Sequence, residues 1–347
     1  MDRAIRVIQF GLGAIGQAAA RLVLERENLQ LVGAVDADPK FAGQDLGRVL
    51  GVGRDLGMPV TESLDGTLKL TDADAVIHCT GSSFAAVFSQ LEEIVGNNLH
   101  CVTSCEEALV PAYRNPDLAN ELQTQCVSHS VSVLGTGVNP GFVMDTLAVV
   151  STAVCQRVDA VRILRVVDAG TRREALQRKV GAGMDTAQFE ALVAEGRMGH
   201  VGLLESLVFV GQALGWSLVN ISETVAPMIA AGSIKTQYLS VARGLVTGVQ
   251  QVARAERAEA PGVEALRLEL QMYVGAAEPR DEIEIAGKPN LRVTVPGGTP
   301  GDIATPAILV NMLPVVVAAV PGLQTMATLP LPRLSRAACP GWVNNDE

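Results

Sequence analysis

The chain has 347 residues, 48% of them hydrophobic and 18% charged; this composition excludes an intrinsically disordered protein and leaves room for two modest domains. The formal net charge of -10 argues against nucleic acid or an anionic membrane as a partner. The longest apolar stretch, residues 308–320, contains Asn311 and Pro314 and falls short of the roughly 20 residues that cross a bilayer. The opening apolar run is too short for a secretory signal, so we expect a cytoplasmic protein without a membrane partner.

The first predicted element is a buried strand from Ile5 to Phe10, which runs directly into a glycine-rich sequence. A helical pattern follows to about Glu25, and a second strand from Leu29 to Val35 ends directly before an acid. This order, with the acid about twenty residues after the last glycine, is typical of a dinucleotide-binding Rossmann unit. The glycine-rich loop and the N-terminus of the helix would bind the phosphates of the dinucleotide, and the acid would bind its ribose. The candidate cofactor residues here are Gly11, Leu12, Gly13, Ala14, Ile15 and Asp36.

Strands and helices continue to alternate up to about residue 142. Strands are predicted at 73–79, 100–104 and 130–134, with helices at 84–95 and 116–126 between them. This alternation predicts a doubly wound parallel sheet of the α/β class, whose ligands bind at the carboxyl ends of the strands. The polar segments that follow the strands therefore supply further candidate cofactor residues, which are Thr80, Gly81, Ser82, Ser104, Cys105, Asn139 and Pro140.

Beyond about residue 145 the alternation is lost, which indicates a C-terminal α+β domain. Strands are predicted at 158–167, 266–273, 281–285 and 291–295, and helices at 186–194, 203–214 and 221–228. A last helix starts at Gly301 and is expected to pack on the first domain. We predict a Rossmann domain at 1–142, an α+β substrate domain at 143–300 whose open sheet could pack on a partner subunit, a returning segment at 301–330 and a loosely ordered tail at 331–347.

The cofactor choice depends on Asp36 and its surroundings. A carboxylate here can accept hydrogen bonds from both ribose hydroxyls and repels a 2′-phosphate, which favours NAD. Three cations, Lys40, Arg48 and Arg54, lie within loop reach and could reverse this preference. NADP therefore stays open, and Arg54 is included among the candidate cofactor residues.

A nicotinamide enzyme needs a group that handles a proton while the cofactor carries the hydride. Glu106 and Glu107 follow a predicted strand, and one of them is the candidate catalytic acid/base; Glu106 is favoured because it lies nearer the strand end. One of them could instead belong to the first turn of a helix, where its charge suits the dipole. Cys105 has no base beside it in the sequence, so we expect its side chain to pack against its neighbours and not to act as a nucleophile. The candidate substrate-pocket residues are Phe142, Met144, Thr171 and His200.

Neither the cysteines nor the histidines show the spacing of a metal site. The six cysteines form no CxxC pair, and the four histidines are scattered. We therefore predict no metal and reduced thiols.

The segments IRVIQFGLGAIG, VIHCTGSSF, VTSCEE and GTGVNPGFVMD, together with VTVPGGTPGDIATPAILVNMLP, resemble the 2,4-diaminopentanoate dehydrogenase family and the related native amine dehydrogenases. The resemblance implies a dihydrodipicolinate-reductase-like fold and a homodimer formed through the sheet of the second domain. It also implies NAD(P)-dependent, reversible deamination of an amine, or reductive amination of a small ketone or aldehyde with ammonia. In that family an essential glutamate follows the Ser/Thr-Cys stretch, which here is Glu106 or Glu107.

Other reactions share the same cofactor unit. An imine reductase of the dihydrodipicolinate reductase type lacks support, because its paired-histidine and lysine segment is missing here. A carbonyl reductase that needs no ammonia stays open. A redox sensor without catalysis would have no need for the carboxylates at Glu106 and Glu107.

Overall fold

The computed structural model describes residues 3–334, so most of the predicted tail lies outside the described residues. The chain divides into two compact units. The first unit falls within Met1–Gly141 and Pro300–Glu347, and the second unit is Phe142–Thr299. None of the helices in the described part of the chain is long and apolar enough to cross a membrane.

The strands, in chain order, are β1 (Ile5–Phe10), β2 (Leu29–Val35), β3 (Val60–Thr61), β4 (Ala75–His78), β5 (His100–Thr103), β6 (Ser132–Gly135), β7 (Arg157–Asp168), β8 (Leu218–Ile229), β9 (Ile234–Lys235), β10 (Ser240–Val241), β11 (Val246–Arg257), β12 (Ala260–Tyr273), β13 (Arg280–Lys288), β14 (Leu291–Pro296) and β15 (Gly322–Gln324). The helices are α1 (Ala14–Leu24), α2 (Leu46–Leu50), α3 (Leu64–Leu68), α4 (Phe84–Gly96), α5 (Pro116–Ser128), α6 (Thr146–Ser151), α7 (Glu174–Lys179), α8 (Thr186–Ala194), α9 (Leu203–Ala213) and α10 (Gly301–Val317). Short 3₁₀ turns lie at Glu106–Leu109, Pro111–Tyr113, Thr152–Val154 and Ala169–Thr171.

The first unit is built on a seven-stranded parallel sheet in the order β15-β6-β5-β4-β1-β2-β3. Its central strands are almost wholly buried, as expected where a parallel sheet is covered on both faces. Helix α10 lies against α1, β4 and β5, so this unit includes a segment from the C-terminal part of the chain. The predicted doubly wound α/β sheet is confirmed.

The second unit contains a six-stranded mixed sheet in the order β14-β13-β7-β12-β11-β8. Strands β7 and β12 are parallel, and the other neighbours are antiparallel. Helix α9 lies against β11, β12 and β8 with a largely buried surface, and a second apolar cluster forms around Phe189. This mixed order confirms the predicted α+β class for the C-terminal domain.

One predicted helix in this unit is wrong. Residues 221–228 lie within the long strand β8, which pairs with β11 along its length. The segment is rich in β-branched residues, and Pro227 would break a helix interior but is tolerated on an edge strand such as β8. The residue types of this segment therefore favour the observed strand.

A buried ion pair joins two strands of the mixed sheet to the chain that follows it. The Arg165 guanidinium donates to the Asp281 carboxylate at 3.0 Å and to the Thr299 carbonyl at 2.7 Å. The second Asp281 oxygen accepts from the Thr299 N–H at 2.6 Å. The Arg165 and Asp281 side chains are buried, with exposed fractions of 5% and 3%. The pair therefore fixes the end of the second unit next to β7 and β13.

We predict that Asp281→Ala lowers the free energy of unfolding by about 3–5 kcal/mol, because it leaves the Arg165 charge buried without its counter-ion. Urea unfolding followed by circular dichroism measures this loss. The exposed pair Arg157 and Asp159 on β7 provides the control, since Asp159→Ala removes a solvent-exposed ion pair and should cost less than about 1 kcal/mol. Equal losses in the two variants would contradict the buried pair's role.

Candidate active site

The candidate site residues of the first unit lie at one edge of its sheet. Strands β2, β1, β4, β5 and β6 are parallel neighbours, so their carboxyl ends lie side by side. Backbone hydrogen bonds continue past the strand ends, from Cys79 N–H to the Phe10 carbonyl at 2.7 Å and from Ser104 N–H to the His78 carbonyl at 2.9 Å. The loops that follow these strands are thereby held close to one another.

The glycine loop between β1 and α1 has a different constraint at each glycine. Gly11 adopts φ +90°, and a Cβ there would lie 2.4 Å from the Cys79 carbonyl oxygen. A Cβ on Gly16 would lie 1.9 Å from the Gly11 carbonyl oxygen, so this glycine lets the helix start directly over the loop. A Cβ on Gly13 would meet nothing within 4 Å. Gly13 therefore borders open space, whereas the other two glycines are required by the fold.

The start of α1 carries backbone donors that no side chain caps. Gly13 is the N-cap residue, and it makes no side-chain cap hydrogen bond. Helix N-termini present free N–H groups and a positive dipole end, which bind phosphates well. Gly13 and Ala14 are exposed, and Ile15 is half-buried. The open space beside Gly13 and the uncapped helix end fit a dinucleotide pyrophosphate.

The Asp36 carboxylate is fixed beside this loop. Its Oδ2 accepts from the Leu12 N–H at 2.6 Å, and its Oδ1 accepts from the Asp38 N–H at 2.9 Å. Each carboxylate oxygen has a further lone pair that a ribose hydroxyl can use. Two of the three loop cations have their own acidic partners, Lys40 with Asp38 at 2.7 Å and Arg48 with Asp55 at 2.6 Å. Arg54 is exposed and forms no ion pair within residues 3–334.

The turn after β5 is tied to the N-terminus of α4 through Glu107. The Glu107 Oε2 accepts from the Phe84 N–H at 2.8 Å, and the Glu107 N–H donates to the Ser82 carbonyl at 3.2 Å. The Arg114 Nε lies 3.8 Å from the other carboxylate oxygen of Glu107, Oε1. The Cys105 thiol also donates to the Ser82 carbonyl at 3.2 Å. Glu107 thus acts as a carboxylate cap of α4, while both neighbours of Glu106 are anchored.

Glu106 begins a 3₁₀ turn at the carboxyl end of β5 and is half-buried. Burial raises the pKa of the Cys79 thiol to about 11, and the negative charge of Glu106 adds to this rise. Burial likewise raises the pKa of Cys105 to about 12, with contributions from Glu106 and Glu107. The Glu106 carboxylate therefore lies close to the loops after β4 and β5. The two thiols are protonated at neutral pH, so neither is an activated nucleophile.

The segment after β6 lies beside this turn. Thr136 N–H donates to the Thr103 carbonyl at 2.9 Å, and the Val138 N–H donates to the Thr305 hydroxyl at 3.4 Å. Asn139 is half-buried and Pro140 is buried, and a cis peptide bond joins them. These two candidate residues thus share the sheet edge with the glycine loop and the glutamate turn.

The candidate substrate residues all belong to the second unit. His200 lines a recess of about 40 Å³ together with Met198, Met272 and six other residues. Its backbone is fixed by the buried Gln251 side chain, which accepts from the His200 N–H at 2.7 Å and donates to the His200 carbonyl at 3.0 Å. The other three candidates do not line this recess: Thr171 is exposed, Met144 is buried and Phe142 is half-buried.

Sequence reasoning missed His78, a fully buried histidine at the end of β4. Its register partner in β5 is Thr103, and the His78 Nδ1 lies 2.8 Å from the Thr103 hydroxyl. Polar residues at the last position of two neighbouring apolar strands are a pattern that could have indicated this contact. Within residues 3–334, no group of three or more His, Cys, Asp and Glu side chains could hold a metal ion, and five cysteines are free.

The glycine loop, the uncapped helix and the acid at the end of β2 define a two-unit protein of the Rossmann class. Comparisons with known proteins agree with this class. A family model described as dihydrodipicolinate reductase, N-terminus, matches residues 5–105. A second model, 2,4-diaminopentanoate dehydrogenase C-terminal domain, matches residues 142–343, which is more than half of the chain.

Individual relatives point to the same group. The chain is 30% identical over 340 residues to a 2,4-diaminopentanoate dehydrogenase of Acetoanaerobium sticklandii, covering 95% of this chain and 94% of that protein. It is 23% identical over 230 residues to an amine dehydrogenase of Streptomyces virginiae, covering 63% and 62% of the two chains. An amine dehydrogenase structure from Mycobacterium smegmatis superposes with a TM-score of 0.83 at 27% identity, and the match covers 96% of this chain and 98% of that chain. The chain belongs to the 2,4-diaminopentanoate dehydrogenase family.

The different constraints on two glycines give a test of the loop. Gly13→Ala should leave the melting temperature nearly unchanged and weaken NADH binding, because the added methyl group occupies open space beside the helix end. Gly16→Ala should lower the melting temperature by several degrees, because its Cβ collides with the Gly11 carbonyl oxygen. Thermal unfolding and NADH fluorescence titration measure the two effects. Unchanged NADH affinity in Gly13→Ala would rule out the loop as the pyrophosphate site.

Proposed function

We propose that this protein is an NAD(P)-dependent amine dehydrogenase. It interconverts a small amine with the corresponding ketone or aldehyde and ammonia. The observation that carries this proposal is the arrangement of the two glutamates, in which Glu107 caps α4 while Glu106 stands at the carboxyl edge of the sheet between anchored neighbours. Membership of the 2,4-diaminopentanoate dehydrogenase family supports the reaction class.

The cofactor residues of the proposal belong to the first unit. The backbone of residues 11–15 would hold the pyrophosphate, and Asp36 the adenosine ribose. Thr80–Ser82, Ser104, Cys105, Asn139 and Pro140 would lie along the nicotinamide half, since they follow the neighbouring strands. When bound, the reduced nicotinamide supplies the hydride. NAD is the favoured form because Asp36 repels a 2′-phosphate, and Arg54 is the exposed cation available to NADP.

Glu106 acts as the acid/base of the reaction. In the aminating direction its carboxylate takes a proton from ammonium, and the resulting ammonia adds to the carbonyl carbon while a second proton passes from nitrogen to the former carbonyl oxygen. Glu106 then gives its proton to the hydroxyl group so formed, which leaves as water and yields the iminium. Its negative charge then stabilises the positively charged iminium carbon that receives the hydride. The anchored residues on both sides keep the carboxylate in place, so little reorganisation is needed during the reaction.

The second unit would bind the substrate. We assign its recess to the substrate side chain, because Leu176, Val180, Val249 and the two methionines make it mainly apolar. Lys179 is the charged residue of that lining, and a cation here disfavours a second ammonium group on the substrate. The substrate class is therefore a small ketone or aldehyde with an uncharged substituent. His200 is the polar group at this recess, and Phe142, Met144 and Thr171 remain candidate pocket residues.

The assembly and location of the protein are part of the same proposal. We infer a homodimer formed through the six-stranded sheet, as the family resemblance implies. The five free cysteines among the described residues fit the reducing cytoplasm.

Substitution of each glutamate separately tests the acid/base assignment. Glu106→Gln should lower kcat by about 10²–10⁴-fold, because the amide cannot exchange the proton. Glu107→Gln should keep most of the activity, because its amide oxygen can still accept from the Phe84 N–H. Steady-state kinetics with saturating ammonium measure kcat, and NADH fluorescence verifies that both variants bind the cofactor.

Glu107→Ala serves as the structural control, since it removes the cap of α4 and should cost about 1 kcal/mol of stability. The assignment is wrong if Glu106→Gln keeps wild-type kcat while Glu107→Gln loses it.

The reaction class is tested by oxidation of NADH and NADPH with small aldehydes and ketones such as cyclohexanone, with and without ammonium at alkaline pH. We expect turnover only when ammonium is present, since the enzyme reduces an imine that ammonia must first form. Turnover without ammonium would identify a carbonyl reductase. Binding of NADH without any turnover would favour an imine reductase or a sensor.

A further inference from the structure

A buried polar network surrounds His78 at the end of β4. The imidazole is fully buried, and its ring packs edge-on against Phe10 at 5.4 Å between ring centres. Its Nε2 lies 2.7 Å from the Gln90 Oε1 and 2.9 Å from the Thr80 hydroxyl. On the other side of the ring, Nδ1 lies 2.8 Å from the Thr103 hydroxyl. A buried histidine therefore lies between the last residue of β5 on one side and polar groups of α4 and of the loop after β4 on the other.

The contacts define one protonation state of the ring. The Gln90 oxygen can only accept, and it also accepts from the Thr80 hydroxyl at 2.5 Å, so Nε2 carries the hydrogen. Nδ1 then accepts from the Thr103 hydroxyl, and the Thr103 oxygen accepts in turn from the Cys105 N–H at 3.1 Å. A second ring proton would leave the Thr103 hydroxyl hydrogen without its acceptor. The network is satisfied by a neutral imidazole.

Burial of the ring supports the same state. Burial lowers the pKa of His78 to about 4, whereas the hydrogen bond that the ring donates to the Gln90 oxygen raises it with a smaller effect. The imidazole is thus neutral over the pH range in which an amine dehydrogenase would work. Because the ring is enclosed by side chains of this chain, it is placed to hold other groups and not to exchange protons with a substrate.

We propose that His78 is a positioning residue that connects the loop after β4 to the turn after β5, and so holds Thr80 and the Glu106 turn in one fixed arrangement. This inference rests on the proposed role of Glu106. Thr80 begins the loop assigned to the cofactor, and Cys105 directly precedes Glu106. The Cys105 N–H is the last link of the network on the β5 side.

The network complements the anchors already described for this turn. The Ser82 carbonyl and the Phe84 N–H hold Cys105 and Glu107 from the α4 side, whereas Thr103 holds the Cys105 backbone from the sheet side. Without the imidazole, the Thr103 hydroxyl would lose its acceptor and could rotate away from the Cys105 N–H. A shift of about 1 Å in a catalytic group can cost about 10²-fold in rate, so a loose turn would be visible in kcat.

Two variants at Thr103 separate the hydrogen bond from the shape of the side chain. Thr103→Val keeps the shape and removes the hydroxyl, and Thr103→Ser keeps the hydroxyl. We expect Thr103→Val to lower kcat by about 10- to 100-fold with little change in the KM of the ketone, and Thr103→Ser to retain near wild-type kcat. Thr124→Val is the matched control, because the Thr124 hydroxyl lies on the exposed face of α5 and donates to the Asn120 carbonyl outside the network.

Hydrogen–deuterium exchange of the enzyme gives a readout that does not depend on turnover. His78→Leu should speed exchange in both segments 79–82 and 105–107, because the ring contacts Thr80 directly and reaches Cys105 through the Thr103 hydroxyl. Thr103→Val should speed exchange in segment 105–107 alone. NADH affinity, measured by fluorescence, should fall in His78→Leu, which loosens the Thr80 loop, and change less in Thr103→Val.

The outcomes separate this inference from the proposed function. Wild-type enzyme without ammonium-dependent turnover overturns the function, and the exchange pattern alone then decides whether His78 couples the two loops. Faster exchange with unchanged kcat in Thr103→Val shows a purely structural network and overturns the positioning role. Unchanged exchange in both segments of His78→Leu overturns the coupling itself.

Discussion

The hydrogen bond between the Glu107 carboxylate and the Phe84 N–H is the contact on which the proposed chemistry depends. It satisfies one of the free donors at the start of α4 and places a negative charge at the positive end of that helix. A charge-assisted hydrogen bond of this kind is stronger than a neutral one. The contact commits Glu107 to the helix, whereas Glu106 begins the turn at the carboxyl end of β5. This geometric difference supports the proposal that the two neighbouring glutamates have different roles.

Much of the first unit could be predicted from the sequence. Short apolar strands, a GxGxxG turn and an acid at the end of the next strand are local patterns, and each follows from the needs of a buried parallel sheet. The rule that ligands lie at the carboxyl ends of the strands then placed the candidate loops at one edge. The family was also recognisable from spaced motifs over most of the chain, and the comparisons confirm that resemblance. The functional roles of the individual residues stay predictions.

What sequence reasoning could not supply are contacts between residues far apart in the chain. The proposed choice of Glu106 over Glu107 rests on the contact of Glu107 with Phe84, which lies 23 positions away. The His78 network depends on Thr103, 25 positions away, and on the register of β4 with β5. Residues 221–228 form part of strand β8 instead of the predicted helix, and β8 is held as a strand by its pairing with β11. In each case the deciding partner lies on another element.

The electrostatics around Asp36 give a physical reason to place NAD ahead of NADP. A 2′-phosphate would need cations that have no other partner, but Lys40 and Arg48 are each paired with an acid on a nearby loop. Both pairs are exposed and therefore weak, so their main effect is that a phosphate bound to either cation would lie beside a carboxylate. Arg54 has no such partner among the described residues, yet it is exposed, where solvent weakens its attraction. The Asp36 carboxylate, fixed by two backbone N–H groups, cannot easily turn away from a phosphate. The attraction of one exposed arginine, Arg54, would therefore have to outweigh the repulsion between the fixed Asp36 carboxylate and a 2′-phosphate. A ribose with both hydroxyl groups free fits the site around Asp36 better.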